Sequence, residues 1–489
     1  MNVKQRQKSF LFLFVCLGLG ILAELSFFHG VIGISYIIFI AAFYLILFSR
    51  LGIKFSHRRI GLLLMVMIWV LAASYLFYDN EIFYDLNILV IPVLVFIHIV
   101  LMTTPNNIDW ISTIFVNQLT QKFTQTFGYG KRWVKFILKR TLFRRMSKAA
   151  LLTVKRIVIG LLLGGPLLLV IVGLLVSADE NFGNVIMEVP RFILGMNFLE
   201  GFFRVIAVIL LTLLFFSAFQ TLRKRYVIPL GRPANGHKPI SWDGVIAGTV
   251  VVLLNSIYLL FAVIQFKYFF GEAIQADFTF AEYARRGFFE LVVVTVINWS
   301  LLLICLKLVR IKRKSGSYFM KIMYSLLIVT SGVMLASAYL RLSMYENAYG
   351  FTMDRILAHA FMLFLIVIFA YTFFRVWLEK ISLSHFYLIA ALLFYTGLNA
   401  VNLEEMIVNN NLERYQQTKK MDIYYLNSLS YSGIDGLITL YEMEPDYPEL
   451  RSLLTDRKQM IEDLDLDTWQ SFNLKKQQVV KRLQELELK

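Results

Sequence analysis

Apolar residues in this chain fall in long unbroken runs separated by short polar stretches. The runs lie near 9–28, 31–49, 60–78, 87–104, 157–177, 203–220, 243–269, 288–309, 318–340, 356–377 and 384–403. Each approaches the ~20 residues that a helix needs to cross a ~30 Å hydrocarbon core. Only helices and closed barrels satisfy their backbone polar groups in lipid, and continuous apolar runs exclude the alternation of barrel strands. The pattern therefore predicts an all-α fold, a polytopic transmembrane bundle of about eleven spans.

The connections between runs alternate in charge. Arg50, Lys54, Arg58 and Arg59 follow the second run, whereas Asp79, Glu81 and Asp85 follow the third. Basic residues return between 105 and 156, again at Arg223, Lys224 and Arg225, and at Arg310, Lys312, Arg313 and Lys314. Basic loops stay on the cytoplasmic side, so the expected topology has the N-terminus inside and the C-terminus outside. Lys4, Arg6 and Lys8 ahead of the first run resemble a signal peptide, but Ser26-Phe27-Phe28 is no cleavage site, which predicts a retained first helix. Four regions follow: 1–104 with four spans, a basic cytoplasmic loop at 105–156, a seven-span core at 157–403, and an extracytoplasmic tail at 404–489.

Within the loop, Trp110, Ile111, Ile114, Phe115, Leu119 and Phe123 recur at helical spacing, as do Val134, Ile137, Leu138, Leu142, Met146 and Ala149. They predict two amphipathic helices lying on the anionic inner leaflet, so membrane lipids are the expected partners of 105–156. The tail is polar, with turn signals at Ser432-Gly433 and Asp435-Gly436 and helical patterns around 447–462 and 468–487. Its few apolar residues predict a small helical cap without a large core of its own.

Composition narrows the classes further. The chain is 58% hydrophobic and 17% charged, with a net charge of +16, and its basic residues sit on loops, which argues for membrane topology and against nucleic acid. Cys16 and Cys305 both lie inside apolar runs, and the six histidines are scattered without metal-ligand spacing. No metal site and no cofactor are expected, and no phosphate-binding loop, HExxH or GxSxG motif occurs. His98, Asn255, Asn298 and His359 interrupt apolar runs, as expected of residues that hydrogen-bond between helices.

Candidate chemistry gathers at run ends predicted to face outward. Thr279-x-x-Glu282 reads as a capping box, predicting a helix from about Phe280 on which Tyr283, Arg286 and Glu290 share a face beside Arg285. Glu290 then needs a cationic partner, for which Arg341 is the candidate, with Tyr345 and Glu346 on the following turns. Asp179 closes the fifth run, and Asn402 and Glu405 close the eleventh. The guanidinium forks of Arg285, Arg286 and Arg341 suit phosphate or carboxylate groups.

Ser177-Ala178-Asp179, Tyr283–Leu291, Arg341-Leu342-Ser343-x-Tyr345-Glu346-x-Ala348-Tyr349-Gly350, Asn402 through Arg414 and Trp469-x-Ser471-Phe472-Asn473-Leu474 resemble, as a set, the motifs of a bacterial membrane family, domain of unknown function 4173, and of the related 4153 group. The resemblance runs from about Leu86 to the C-terminus. It implies a polytopic protein of the bacterial cytoplasmic membrane and supplies no catalytic residue. Three functions stay open: binding of a partner protein or anionic envelope component at the outer cluster, secondary transport of a small solute or ion, and enzymatic action on a lipid-linked substrate.

Overall fold

The computed structural model describes residues 3–52, 56–141, 148–178, 180–223, 242–270, 287–311, 313–463 and 468–488. Among these the chain is all-α. The helices are α1 (Val3–Phe27), α2 (Ile34–Leu51), α3 (Arg58–Phe77), α4 (Glu81–Thr103), α5 (Thr113–Thr141), α6 (Lys148–Ala178), α7 (Glu180–Leu222), α8 (Gly244–Phe270), α9 (Phe288–Leu308), α10 (Lys314–Tyr349), α11 (Met353–Trp377) and α12 (Leu383–Ala400). The tail adds α13 (Leu403–Thr418), α14 (Ile423–Ser428), α15 (Tyr431–Met443), α16 (Leu450–Asp463), a 3-10 turn (Trp469–Ser471) and α17 (Leu474–Glu485).

Every expected apolar run falls on a helix. Nine helices among the described residues are long and apolar enough to cross a membrane, and Leu11–Phe27 and Leu163–Leu175 are shorter apolar stretches. Only 17% to 50% of each of the nine windows is buried within the protein, which leaves broad apolar faces. Residues such as Leu45 and Val245 are more than 70% exposed, a liability in water that acyl chains remove. The protein is a multi-pass membrane protein.

The chain forms two compact units. In the first, α1 packs along α7, and Gly20 lets the backbones close, since a Cβ there would lie 2.4 Å from Thr212 Oγ1. His98 is buried and hydrogen-bonded to the Tyr44 hydroxyl at 2.7 Å. The loop at 105–156 departs from expectation, because α5 is a single helix from Thr113 to Thr141 and the residues from Lys148 on already belong to α6. Its buried face is partly polar: Gln118, Lys122 and Thr126 follow Phe115 at helical spacing, and the Lys122 ammonium donates to the Thr221 carbonyl at 3.0 Å. Ile114, Phe123 and Phe127 point outward. The amphipathicity read from sequence is present, with the polar stripe turned toward protein.

The second unit holds α8–α12 around Val251, Leu302, Leu327, Leu335, Met362 and Phe369. Asn298 ties three helices together, accepting from Tyr258 Oη and donating to Ser331 Oγ, both at 2.9 Å. Asn255 donates to the Met323 carbonyl at 2.9 Å. Both fill the interhelical role expected of polar residues in lipid.

The tail up to Leu466 and from Asn473 on belongs to this unit and has more core than its polarity suggested. Tyr415, Ile423, Leu426, Ile434, Leu437, Leu440, Leu450, Leu454, Val479 and Leu483 pack into one cluster. The expected turns at Ser432-Gly433 and Asp435-Gly436 lie inside α15 instead. Both glycines serve close packing: a Cβ on Gly433 would fall 2.1 Å from the Leu426 carbonyl oxygen, and one on Gly436 2.5 Å from Val408 Cγ1. A turn signal and a helix-crossing signal are written with the same residue.

Candidate functional site

The helix carrying Glu290 starts later than the capping box implied. Gly287 is its N-cap, with φ +92 in the left-handed region, and α9 runs from Phe288. The single face assumed from 283 to 290 therefore does not pass through Gly287. Thr279 to Arg286, with Tyr283, Arg285 and Arg286, lie outside the described residues, as does Asp179.

Arg341 projects from α10 against this helix start. It is 8% exposed, and a Cβ on Gly287 would lie 2.8 Å from its Nη1 atom. Glycine is needed there twice, for its backbone angle and for the room it leaves. The first N–H groups of α9 have no intrahelical acceptor, Gly287 offers no side-chain cap, and the helix dipole is positive at this end. A buried guanidinium and a helix N-terminus that Gly287 leaves without a side-chain cap thus meet, and both attract negative charge. Glu290 is exposed in the first turn, where its charge suits the dipole, and takes no hydrogen bond or ion pair among the described residues.

The rest of the 341–350 motif is a joint. The Arg355 guanidinium lies 4.4 Å from the Tyr345 ring centroid and donates to the Gly350 carbonyl. Glu346 is buried and hydrogen-bonded to His359 Nε2 at 2.8 Å, and Tyr339 packs edge-on against that imidazole. Gly350, with φ +88, ends α10 where a Cβ would stand 2.7 Å from Asn411 Oδ1. Asn411 on α13 then pairs with both backbone groups of Phe351, at 2.9 and 2.8 Å. Arg414 donates to the carbonyls of Asn347 and Ala348 at 3.2 and 2.9 Å, capping α10 from the tail.

Asn402 and Glu405 hold the start of α13. Asn402 accepts from the Glu405 N–H at 3.2 Å and donates to Glu405 Oε2 at 2.9 Å, a reciprocal cap. Exposed Glu405 also lies 3.5 Å from Lys475, which pairs with Asp435 at 2.9 Å. Asp435 further accepts from Arg482 at 2.6 Å. Burial pushes the Asp435 carboxyl up, but its hydrogen bonds to Lys475 and Arg482 outweigh this and hold it below the usual range.

Glu404 stands between these two candidates and is the more perturbed carboxyl. It is buried, its Oε2 meets the N–H of Ser430 at 3.1 Å and also the Ser430 hydroxyl, and that hydroxyl lies 2.6 Å from the Asp79 carbonyl. Burial, resisted by the Ser430 hydroxyl and aided by the nearby Asp79 charge, pushes Glu404 up to about 7. Asp79 is raised too, chiefly by burial and against the pull of Lys476. Beside them, Tyr75, Tyr78, Asn80, Asn87 and Asn399 line a cavity of about 10 Å³, the room one water needs. The Asn87 amide donates to Asn399 Oδ1 at 2.6 Å, and Tyr395 donates to Asn87 at 2.7 Å. The available sequence signal for Glu404 was its place two residues after Asn402, on the inward face of a capped helix.

Ends of α3, α10 and α12 and starts of α4 and α11 thus meet the tail within one unit. A family model described as a domain of unknown function, DUF4153, matches residues 65–440. The chain belongs to this family. DUF4153 takes in the joint at 341–350 and the segment from Asn402 to Arg414, begins upstream of Leu86, and ends inside α15. The Trp469–Leu474 motif lies beyond it. No curated protein and no solved structure matches the chain.

Proposed function

We propose that this protein sits in the bacterial cytoplasmic membrane with its N-terminus inside and its tail outside, and that its outer face binds an acidic group on a partner protein or envelope component. The observation carrying this reading is the buried Arg341 guanidinium set against the start of α9, to which Gly287 gives no side-chain cap. Arg285 and Arg286 immediately precede that start in the chain, which adds positive charge close by. The resemblance of the whole motif set to the 4173 group supports the bacterial membrane assignment. The orientation draws on charge: Arg310, Arg313, Lys314, Arg375 and Lys380 lie at the opposite ends of the same spans.

The test is photo-crosslinking in living cells from a light-activated residue at Tyr345, compared between wild type and Arg341→Gln. Charge-assisted hydrogen bonds contribute ~1.5–3 kcal/mol, so adduct yield should fall about 10- to 100-fold while membrane insertion stays normal. Arg341→Lys should recover part of the yield, because a point charge replaces a fork. An unchanged adduct pattern in Arg341→Gln and in Arg286→Ala would refute the assignment.

Secondary transport is the second reading, favoured by the buried Glu346–His359 pair near the start of α11. Glu346 Oε1 and His359 Nδ1 are buried without a hydrogen-bond partner, as expected of a pair that exchanges a proton or ion. Proton flux into vesicles, abolished by Glu346→Gln, would select this reading over the first.

A further inference from the structure

The same unit carries a second groove, at the opposite, basic ends of the helices that hold the Arg341 cluster. The first turns of α8 and α10 are wedged apart by Ile311, against which Gly244 and Gly316 both press, each leaving 3.0 Å between an added Cβ and that side chain. The groove above it encloses about 590 Å³. Its long wall is apolar, formed by Val252, Leu253, Phe319 and Met320, and its rim is Arg310 and Arg313.

Charge at the rim is uncommitted. Neither guanidinium takes a hydrogen bond or ion pair among the described residues, and both side chains are exposed. Asp243 also lines the groove, but its carboxylate caps α8, accepting from the N–H groups of Val245 at 2.7 Å and Ile246 at 3.3 Å. The start of α10 has no such cap: Arg313 is its N-cap residue and contributes no side-chain bond. Free N–H groups at the head of a 36-residue helix therefore stand beside two arginines.

Exposed aromatic residues set the depth. Trp242, Tyr318 and Trp377 are exposed at this end of the unit, with the Tyr318 and Trp377 rings 6.1 Å apart, as in the belt that marks a headgroup boundary. The rim is thus at headgroup level and the apolar wall at acyl level. We propose that this groove is a binding site for an anionic phospholipid. The phosphodiester sits between Arg310, Arg313 and the start of α10, and one acyl chain lies along Val252, Phe319 and Met320. A soluble anion would leave the apolar wall unused, and a neutral lipid would leave the two arginines unmatched.

The full chain is reconstituted in phosphatidylcholine vesicles containing a small fraction of phosphatidylglycerol with a diazirine in its acyl chain. After illumination, adducts are expected on 244–253 and 314–320, with excess unlabelled phosphatidylglycerol removing them and phosphatidylcholine sparing them. Removing the arginines as Arg310→Gln and Arg313→Gln should lower yield about fivefold each. Thr249→Trp, which fills the groove and leaves both charges, should lower it as well. Equal labelling of wild type by a phosphatidylcholine probe would overturn the site as ordinary boundary lipid. Competition by inorganic phosphate would overturn it in favour of a soluble anion, and adducts confined to 224–241 would overturn its location. The headgroup comparison is read on wild-type protein, so it decides the matter even if a variant fails to insert.

Discussion

Glu404→Gln should stabilise the tail at alkaline pH and flatten its pH dependence. The Ser430 hydroxyl has one proton but two acceptors in reach, Glu404 Oε2 and the Asp79 carbonyl. A protonated Glu404 resolves the shortage, donating to Ser430 Oγ while that hydroxyl donates to Asp79. Glutamine keeps the donor, since its amide nitrogen at the Oε2 position donates to Ser430 Oγ, but it loses the acceptor that the Ser430 N–H meets at that same atom. A carboxyl raised from its ordinary 4.5 to about 7 binds its proton more tightly in the folded tail than in the unfolded chain. Its contribution is therefore fully present below pH 4.5 and is lost as pH rises through 7. The loss amounts to about 3 kcal/mol at 1.36 kcal/mol per pH unit. Hydrogen exchange of the α15 amides, followed from pH 5 to pH 8.5 in lipid nanodiscs with intrinsic rates corrected, measures it directly. With one hydrogen bond lost at every pH, the variant should be about 1 kcal/mol less protected than wild type at pH 5 and about 2 kcal/mol more protected at pH 8. A variant less protected at pH 8, or one that keeps the wild-type slope, would refute the argument.

Three further outcomes follow from the joint and the tail. Gly433→Ala forces a methyl onto the Leu426 carbonyl oxygen and should cost about 3 kcal/mol, read as lost protection across α14 and α15. Arg414→Ala strips two caps from the end of α10 and should cost about 1–3 kcal/mol, with exchange rising first at 345–350. Asp435 behaves opposite to Glu404: its folded carboxyl is held low, so its stabilisation is present above the ordinary value of 3.8 and lost as pH falls through the folded one. Asp435→Asn should therefore destabilise α17 by about 2 kcal/mol at pH 7 and change little at pH 2, as judged by the protection of 474–485.

The spans were legible because lipid imposes one requirement, about 20 apolar residues with their backbone bonds closed locally, and periodicity reports it directly. Asn255 and Asn298 were legible for the same reason, since a polar side chain among apolar ones must find a partner on another helix. Glycine was the blind spot. At Gly287 it caps the start of the helix that carries Glu290; at Gly433 and Gly436 it lets helices touch where turns were expected. Sequence spacing cannot separate these uses, because the deciding atom, Arg341 Nη1 in one case and the Leu426 carbonyl in another, arrives from elsewhere in the chain.

The same contrast bears on which motif residues bind and which hold. Asn411 and Arg414 spend their hydrogen bonds on backbone groups, Asn402 holds Glu405 and Ser432 within the tail, and Tyr345 is covered by Arg355, so these residues build the joint that fixes the tail to the spans. Arg341 points at a helix start, whose donors and dipole share its sign. Guanidinium and helix-start N–H groups both attract negative charge, so an acidic group set between them is held from both sides. If the site exists to be filled, binding an acidic partner should stabilise the start of α9, and exchange at 288–292 should slow only when Arg341 is intact. Slowing that persists in Arg341→Gln would mean the partner acts elsewhere and that the motif serves the joint alone.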